Sequence, residues 1–312
     1  MKNDRALAYL AFATVCIVWG TTYLAIRVAV ETMTPMLLTG ARFTAAGVIL
    51  LAIARLRGES VPRNRGVLRD LVIVGVLLVC VGNLAVVWAE QWVPSGIAAL
   101  LVATAPFWAA ILESMRRGGD RIGVRGAIGM LIGFMGVALL VTPRAAGSAF
   151  DLHFVLGALA IQVGCFCWQY GTMYSKARLG GIPPLMSSGL QMLAGGIIVG
   201  VVGLSTGEAH RFTATPRTLT ALLYLTLFGS VLGYTAFVYA VTTIRTTSLS
   251  LYAYINPVVA VILGWAILHE PLTTTAVVAM TVILAGLALS QSGRATARAV
   301  PAGDAPLIDR AA

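Results

Sequence analysis

The chain repeats itself, and that repeat limits what it can fold into. Cys16, Trp19, Arg27, Pro35, Gly40 and Gly47 return as Cys165, Trp168, Lys176, Pro184, Gly189 and Gly196, 149 residues later and without a gap. Further along, Gly82 and Pro106 reappear as Gly233 and Pro257, and Asp120 as Glu270, with the offset longer by only one or two residues. In so apolar a chain, matched Ala or Leu would mean little. Matches on Trp, Pro, Gly and charge mark two copies of one structural unit.

Composition says where that unit resides. Hydrophobic residues make up 58% and charged residues 11%, against roughly 25% charged in a soluble domain. A bilayer core needs about 20 apolar residues per helix. Windows of that length fall near 7–26, 35–54, 70–89, 95–115, 122–142, 154–175, 184–206, 218–242, 247–268 and 272–291. The period-two alternation of a membrane barrel is absent, so the expectation is an all-α membrane protein of ten transmembrane helices. Arg27 and Glu31 close the first window where a cleaved signal peptide would carry small residues.

A net charge of +10 invites a nucleic-acid partner, but its distribution argues against one. With the N-terminus placed in the cytoplasm, 17 of the 22 basic residues fall on the inner side, among them Arg55, Arg57, Arg63, Arg65, Arg69, Arg116, Arg117, Arg121 and Arg125. Only Arg27, Arg144, Arg211 and Arg217 fall outside, and Arg42 lies within a span. The positive-inside rule accounts for that asymmetry and predicts both termini cytoplasmic. Five spans per copy is an odd number, so the second copy enters the membrane upside down. The predicted units are residues 1–145, residues 146–292 and a short disordered cytoplasmic tail over 293–312. Two inverted copies are the usual sign of a secondary transporter, with the solute site where they meet. A channel and a non-transporting receptor or scaffold are the competing classes.

Other chemistries find little support. Cys16, Cys80, Cys165 and Cys167 all lie in spans, where cysteine acts as a small apolar filler, and none has ligands at metal spacing. His153, His210 and His269 map to outer connections, with no HExxH, nucleophile elbow or phosphate-binding loop. No enzyme, no cofactor and no metal is expected.

Polar groups inside the spans are informative because each is costly in hydrocarbon. Arg42 lies seven residues into the second span, about 10 Å below its outer edge at 1.5 Å per residue. It is either a cationic anchor for a solute carboxylate or a structural cation bound to helix-end carbonyls, and its mate is the uncharged Gln191. Glu113 falls at the inner interface beside Arg116 and Arg117. Glu90 ends the third span at the outer mouth, where an ion pair on the rim is expected and a coupling proton is the alternative. Trp19 and Trp168 are too deep for an interfacial belt. With Asn83 and Tyr234, which follow Gly82 and Gly233, they are candidates for a cavity lining. Pro106 and Pro257 should free carbonyls near Val102 and Ala253 and permit kinks, with Tyr252, Tyr254 and Asn256 crowding the second. Gly126, Gly129, Gly133 and Gly136 form a helix-contact face, either within the fold or between two copies of a homodimer.

These residues carry a resemblance. Trp19-Gly20-Thr21-Thr22-Tyr23 closing at Arg27, then Pro35 and Arg42-Phe43, is similar to the opening of an EamA-type member of the drug/metabolite transporter superfamily. Ala103-Thr104-Ala105-Pro106 and Tyr254-Ile255-Asn256-Pro257-Val258-Val259-Ala260 resemble its paired motifs. Glu270-Pro271-Leu272-Thr273 resembles its acidic motif, with His269 in place of Gly, and Asp120 stands in a degraded first copy. Val81-Gly82-Asn83, Ala89-Glu90 and Val93-Pro94-Ser95-Gly96-Ile97-Ala98 resemble a bacterial inner-membrane exporter subgroup. The resemblance implies two inverted five-helix repeats around a central cavity, and efflux of small metabolites such as amino acids. The buried polar and aromatic groups of this chain make Trp19, Tyr23, Arg42, Asn83, Glu90, Trp168, Tyr234, Tyr254 and Asn256 the residues expected at that cavity.

Overall fold

In a computed structural model, the structure describes residues 2–116, 119, 121–146, 151–243 and 252–298. Helix α1 spans Lys2–Ala29, α2 Pro35–Leu56 and α3 Arg65–Gly75, which continues through a π-helical segment, Val76–Asn83, into α4, Leu84–Ala89. The fourth span is broken into α5, Ser95–Val102, and α6, Ala105–Met115, and α7 covers Val124–Ala146. The second copy runs α8 Leu152–Arg178, α9 Pro184–Ser205 and α10 Pro216–Tyr224, then a second π-helical segment, Leu225–Leu232, and α11 Gly233–Thr243. Helices α12, Tyr252–Leu268, and α13, Thr274–Arg298, complete it. Among the described residues, nine spans are long and apolar enough to cross a bilayer, and Tyr252–Leu268 is a shorter apolar tenth. The expected start of that span, near 247, lies outside the described residues, as do Arg117, Asp120 and residues 299–312 of the expected tail. Helix α13 continues to Arg298.

Local chemistry starts these helices. Pro35, Pro184 and Pro216 occupy first turns, where a missing N–H costs nothing. Asn64, Asp151 and Thr215 cap their helices by accepting from Gly66, Phe154 and Thr218 at 2.7, 3.0 and 3.1 Å.

Lipid tails are as apolar as leucine, so close packing rather than the hydrophobic effect joins the spans. Two antiparallel pairs form the most intimate contacts, each joining a helix to its repeat mate. In α2/α9, a Cβ on Gly40 would stand 2.5 Å from Gly200 Cα. In α7/α13, a Cβ on Gly286 would stand 2.5 Å from the Gly133 backbone nitrogen. The glycine face of α7 is therefore spent inside the chain through Gly129, Gly133 and Gly136, which meet Ser290, Phe107 and Ile283.

The α2/α9 pair is pinned at both ends by symmetry-related carboxylates. Glu208 accepts from the backbone N–H groups of Met36 and Leu37 at 3.1 and 3.3 Å, capping α2. Glu59, 149 residues earlier, accepts from Met186 at 3.2 Å and caps α9. Each negative side chain thus sits at the positive end of the other copy's helix. Glu270 plays a like part for α5, accepting from Ser95 and Gly96 at 2.8 and 3.2 Å.

Candidate functional site

The two π-helical segments begin 149 residues apart, at Val76 and Leu225, and both border one cavity of about 170 Å³ between the repeats. A π-turn widens the helix and shifts its hydrogen bonds, and such turns concentrate at functional sites. Here Asn83 Nδ2 donates to Leu78 O at 3.0 Å, while Trp19 Nε1 donates to Gly229 O at 3.2 Å. Both acceptors lie in π segments.

Each tryptophan lies against the other copy's glycine. A Cβ on Gly233 would come within 2.5 Å of Trp19 Nε1, and one on Gly82 within 3.2 Å of Trp168 Cε3. Tyr234 bridges the two rings edge-on, with centroid separations of 5.9 Å to Trp19 and 6.5 Å to Trp168. Trp19 also meets Phe237 and Tyr252 at 5.1 and 5.6 Å.

The two proline sites differ. Pro257 stays within continuous helix, but the fourth span is interrupted at Ala103-Thr104 just before Pro106. The carbonyl of Leu101 left at that break accepts from Gln162 Nε2 at 3.1 Å and from the Thr104 hydroxyl at 2.7 Å. Trp108 Nε1 donates to Gln162 Oε1 at 3.0 Å, which fixes the amide. With its amide turned to satisfy both ends, Asn256 donates to Cys16 O at 2.9 Å and Tyr252 O at 3.1 Å, tying α12 to α1.

Arg42 is 5% exposed and lines the cavity. Its Nε donates to Ser230 Oγ at 2.9 Å, and its guanidinium carbon lies 4.6 Å from the Phe43 ring centroid. No carboxylate among the described residues is within ion-pair distance of it. Its two terminal nitrogens therefore face the cavity with donors to spare, an arrangement suited to a planar anion. The repeat mate Gln191 lies away from the cavity and donates to Ser187 Oγ at 2.8 Å.

Of the residues expected at the cavity, Trp19, Tyr23, Arg42, Asn83, Trp168, Tyr234 and Asn256 line it, as do Pro106 and Pro257. Tyr254 and Glu90 do not. Tyr254 packs instead beside the cluster of Phe107, Met130 and Leu287. The expected rim ion pair of Glu90 is absent: the residue is fully buried, and neither carboxylate oxygen has a hydrogen-bond partner. Arg27 reaches it but donates to its backbone carbonyl. Depth along a helix fixed the level of Glu90 but not its lateral position, which is inward. Glu113 does pair with Arg116, at 3.7 Å.

Thr22, Phe43, Gln169 and Tyr252 also line the cavity and went unforeseen. Tyr252, one turn before Asn256, and Thr22, one turn before Ile26, share their neighbours' helix faces, which was the available signal. A second polar cluster was missed altogether. Buried Asp70 accepts from the Tyr174 hydroxyl at 3.0 Å and pairs with Arg69 and Arg178 at 3.2 and 3.4 Å, fastening α3 to α8.

Known proteins share this organisation. The family described as the EamA-like transporter family matches twice, over residues 6–142 and 155–291. An Escherichia coli K12 protein named "Uncharacterized inner membrane transporter YedA" is 35% identical over 281 residues, covering 89% of this chain and 88% of that protein. The Bacillus subtilis protein named "Uncharacterized transporter YvbV" is 24% identical over 294 residues, covering 93% and 92%. A solved crystal structure superposes with a TM-score of 0.66 at 20% identity over 93% of this chain and 98% of that one, a likeness of fold.

Proposed function

This chain belongs to the EamA-like transporter family, and from that premise we propose that it exports small carboxylate-bearing metabolites, amino acids foremost, by alternating access. It is a multi-pass protein of the inner membrane, as its 35% identical relative is named. Arg42 carries the reading: a buried guanidinium with unspent donors at a cavity lined otherwise by uncharged residues, aromatic rings and amides among them. A buried cation without an ion-pair partner is expensive unless something anionic visits it. Trp19, Trp168, Tyr234 and Tyr252 would hold the apolar part of the solute, and Asn83 and Asn256 are spent on the backbone.

Alternation would work around the two glycine-packed pairs, α2/α9 and α7/α13, as fixed posts, with the broken fourth span and the π segments as the deformable parts. The basic connections favour both termini in the cytoplasm, which would put Glu90 and Glu270 toward the outer side.

Counterflow of labelled amino acids in proteoliposomes is the test. Saturable uptake, accelerated by unlabelled solute inside, is expected from the wild type and not from Arg42→Gln at equal protein level. Flux that rises linearly with concentration would make the chain a channel, and normal counterflow in Arg42→Gln would remove the anion anchor.

A further inference from the structure

Two buried groups near one another each lack what the other could supply. Glu90 stands in the connection between α4 and α5, fully buried, with both carboxylate oxygens unpartnered. Within electrostatic reach of it are Arg27 and Tyr23 from α1, Arg42 from α2, and Glu270 from the connection after α12. Helix α8 meets the same connection through Gly157 against Ala89 and Val93, and through His153 stacked on Trp92 at 5.0 Å. Glu270 is already spent on the N-terminus of α5. Arg27 is spent on the Glu90 carbonyl. Among the described residues, both carboxylate oxygens of Glu90 are left without a hydrogen bond.

We propose that Glu90 is a proton-binding site linked to anion binding at Arg42, so that proton and solute occupy the protein together rather than in exchange. The inference rests on the reading that Arg42 takes the solute carboxylate. With the cavity empty, the uncompensated Arg42 charge favours ionised Glu90. A carboxylate arriving at Arg42 cancels that field and adds a like charge, so Glu90 takes a proton from water on the open side. Burial already holds the Glu90 carboxyl well above the usual carboxylate range, Glu270 adds to the rise, and Arg27 and Arg42 oppose it. The balance between those influences is what the solute tips. The consequence is directional. Solute and proton leave in the same direction, so acid outside opposes export and acid inside favours it.

Infrared spectroscopy of the purified full-length protein tests this without any flux. The protonated-carboxyl band is titrated in wild type, Glu90→Gln, Glu90→Asp and Arg42→Gln, with acetate as the carboxylate probe. The expected result is a band lost in Glu90→Gln and kept in Glu90→Asp, whose titration midpoint acetate raises by about one pH unit in wild type. In Arg42→Gln the midpoint starts higher and acetate no longer moves it. No Glu90-dependent band, or a midpoint that acetate leaves alone or lowers, overturns the proposal. A normal infrared result with no counterflow would sink the exporter and keep the proton site. Counterflow without the band would do the reverse.

Discussion

The two halves of this molecule share a backbone and divide the chemistry. Both bring a tryptophan and a proline to the cavity, and both carry a π-helical segment, the two beginning 149 residues apart. Among the described residues, only the first half brings a buried cation to the cavity, and the same half holds the buried carboxylate Glu90. The second answers with Tyr234, Tyr252 and Ser230, the last holding Arg42 by its Nε. The mate of Arg42, Gln191, donates to Ser187 within its own helix, and its backbone carbonyl lies against Gly75 of α3. Duplication supplied a symmetric frame, and single substitutions made the site within it asymmetric. A solute with one charged end and one apolar body needs that inequality.

The comparison breaks most directly at Arg42. Arg42→Gln should lower counterflow by about 10- to 100-fold, since a hydrogen bond to a charged group is worth about 1.5–3 kcal/mol. Gln191→Ala should change it by less than about threefold at equal protein level, because Gln191 does not line the cavity. Equal losses in the two variants would mean that the asymmetry is not functional.

The carboxylate of the first half sharpens the contrast. Export through wild-type protein should slow as the outside is acidified, and Glu90→Gln should flatten that dependence, read as flux against an imposed pH gradient. Acceleration by outside acid in wild type would reverse the sign assigned to the linkage.

The glycine–tryptophan contacts separate the halves more gently. Gly233→Ala brings a methyl group within 2.5 Å of Trp19 Nε1, so the indole must leave its bond to Gly229 O. Gly82→Ala leaves 3.2 Å to Trp168 Cε3, which a small tilt absorbs. The first should raise the KM for solute severalfold and the second hardly at all.

The smallest effect tests where the halves are alike. Glu59→Gln and Glu208→Gln each weaken one cap, worth about 1 kcal/mol. They should lower the thermal midpoint by similar amounts in detergent, and add in the double variant because they sit at opposite ends of the pair.

How much of this could be read from the chain follows the same division. The repeat, the number of helices and part of the cavity wall were legible because Trp, Pro and Gly recur at fixed offset and few other residues could replace them. The π segments were not, since an extra residue per turn leaves composition and hydropathy unchanged. The break before Pro106 was legible only as a kink. Its depth depended on Gln162, which reaches the Leu101 carbonyl from 61 positions away. Glu90 was misplaced for a simpler reason. Counting along a helix measures height, while burial depends on what stands beside it, and Gly157 of the other copy closes that side.

The crossed caps have a consequence for the origin and division of the chain. Glu59 reaching Met186 and Glu208 reaching Leu37 are one residue pair met twice, so the α2/α9 seam is isologous in the sense used for twofold dimers. Nothing in that seam requires the halves to be covalently joined. Two separate five-helix polypeptides, inserted in opposite directions, already possess a self-complementary surface with its own pair of electrostatic fasteners. Cut between α7 and α8 and expressed as two pieces, the protein should reassemble through that seam.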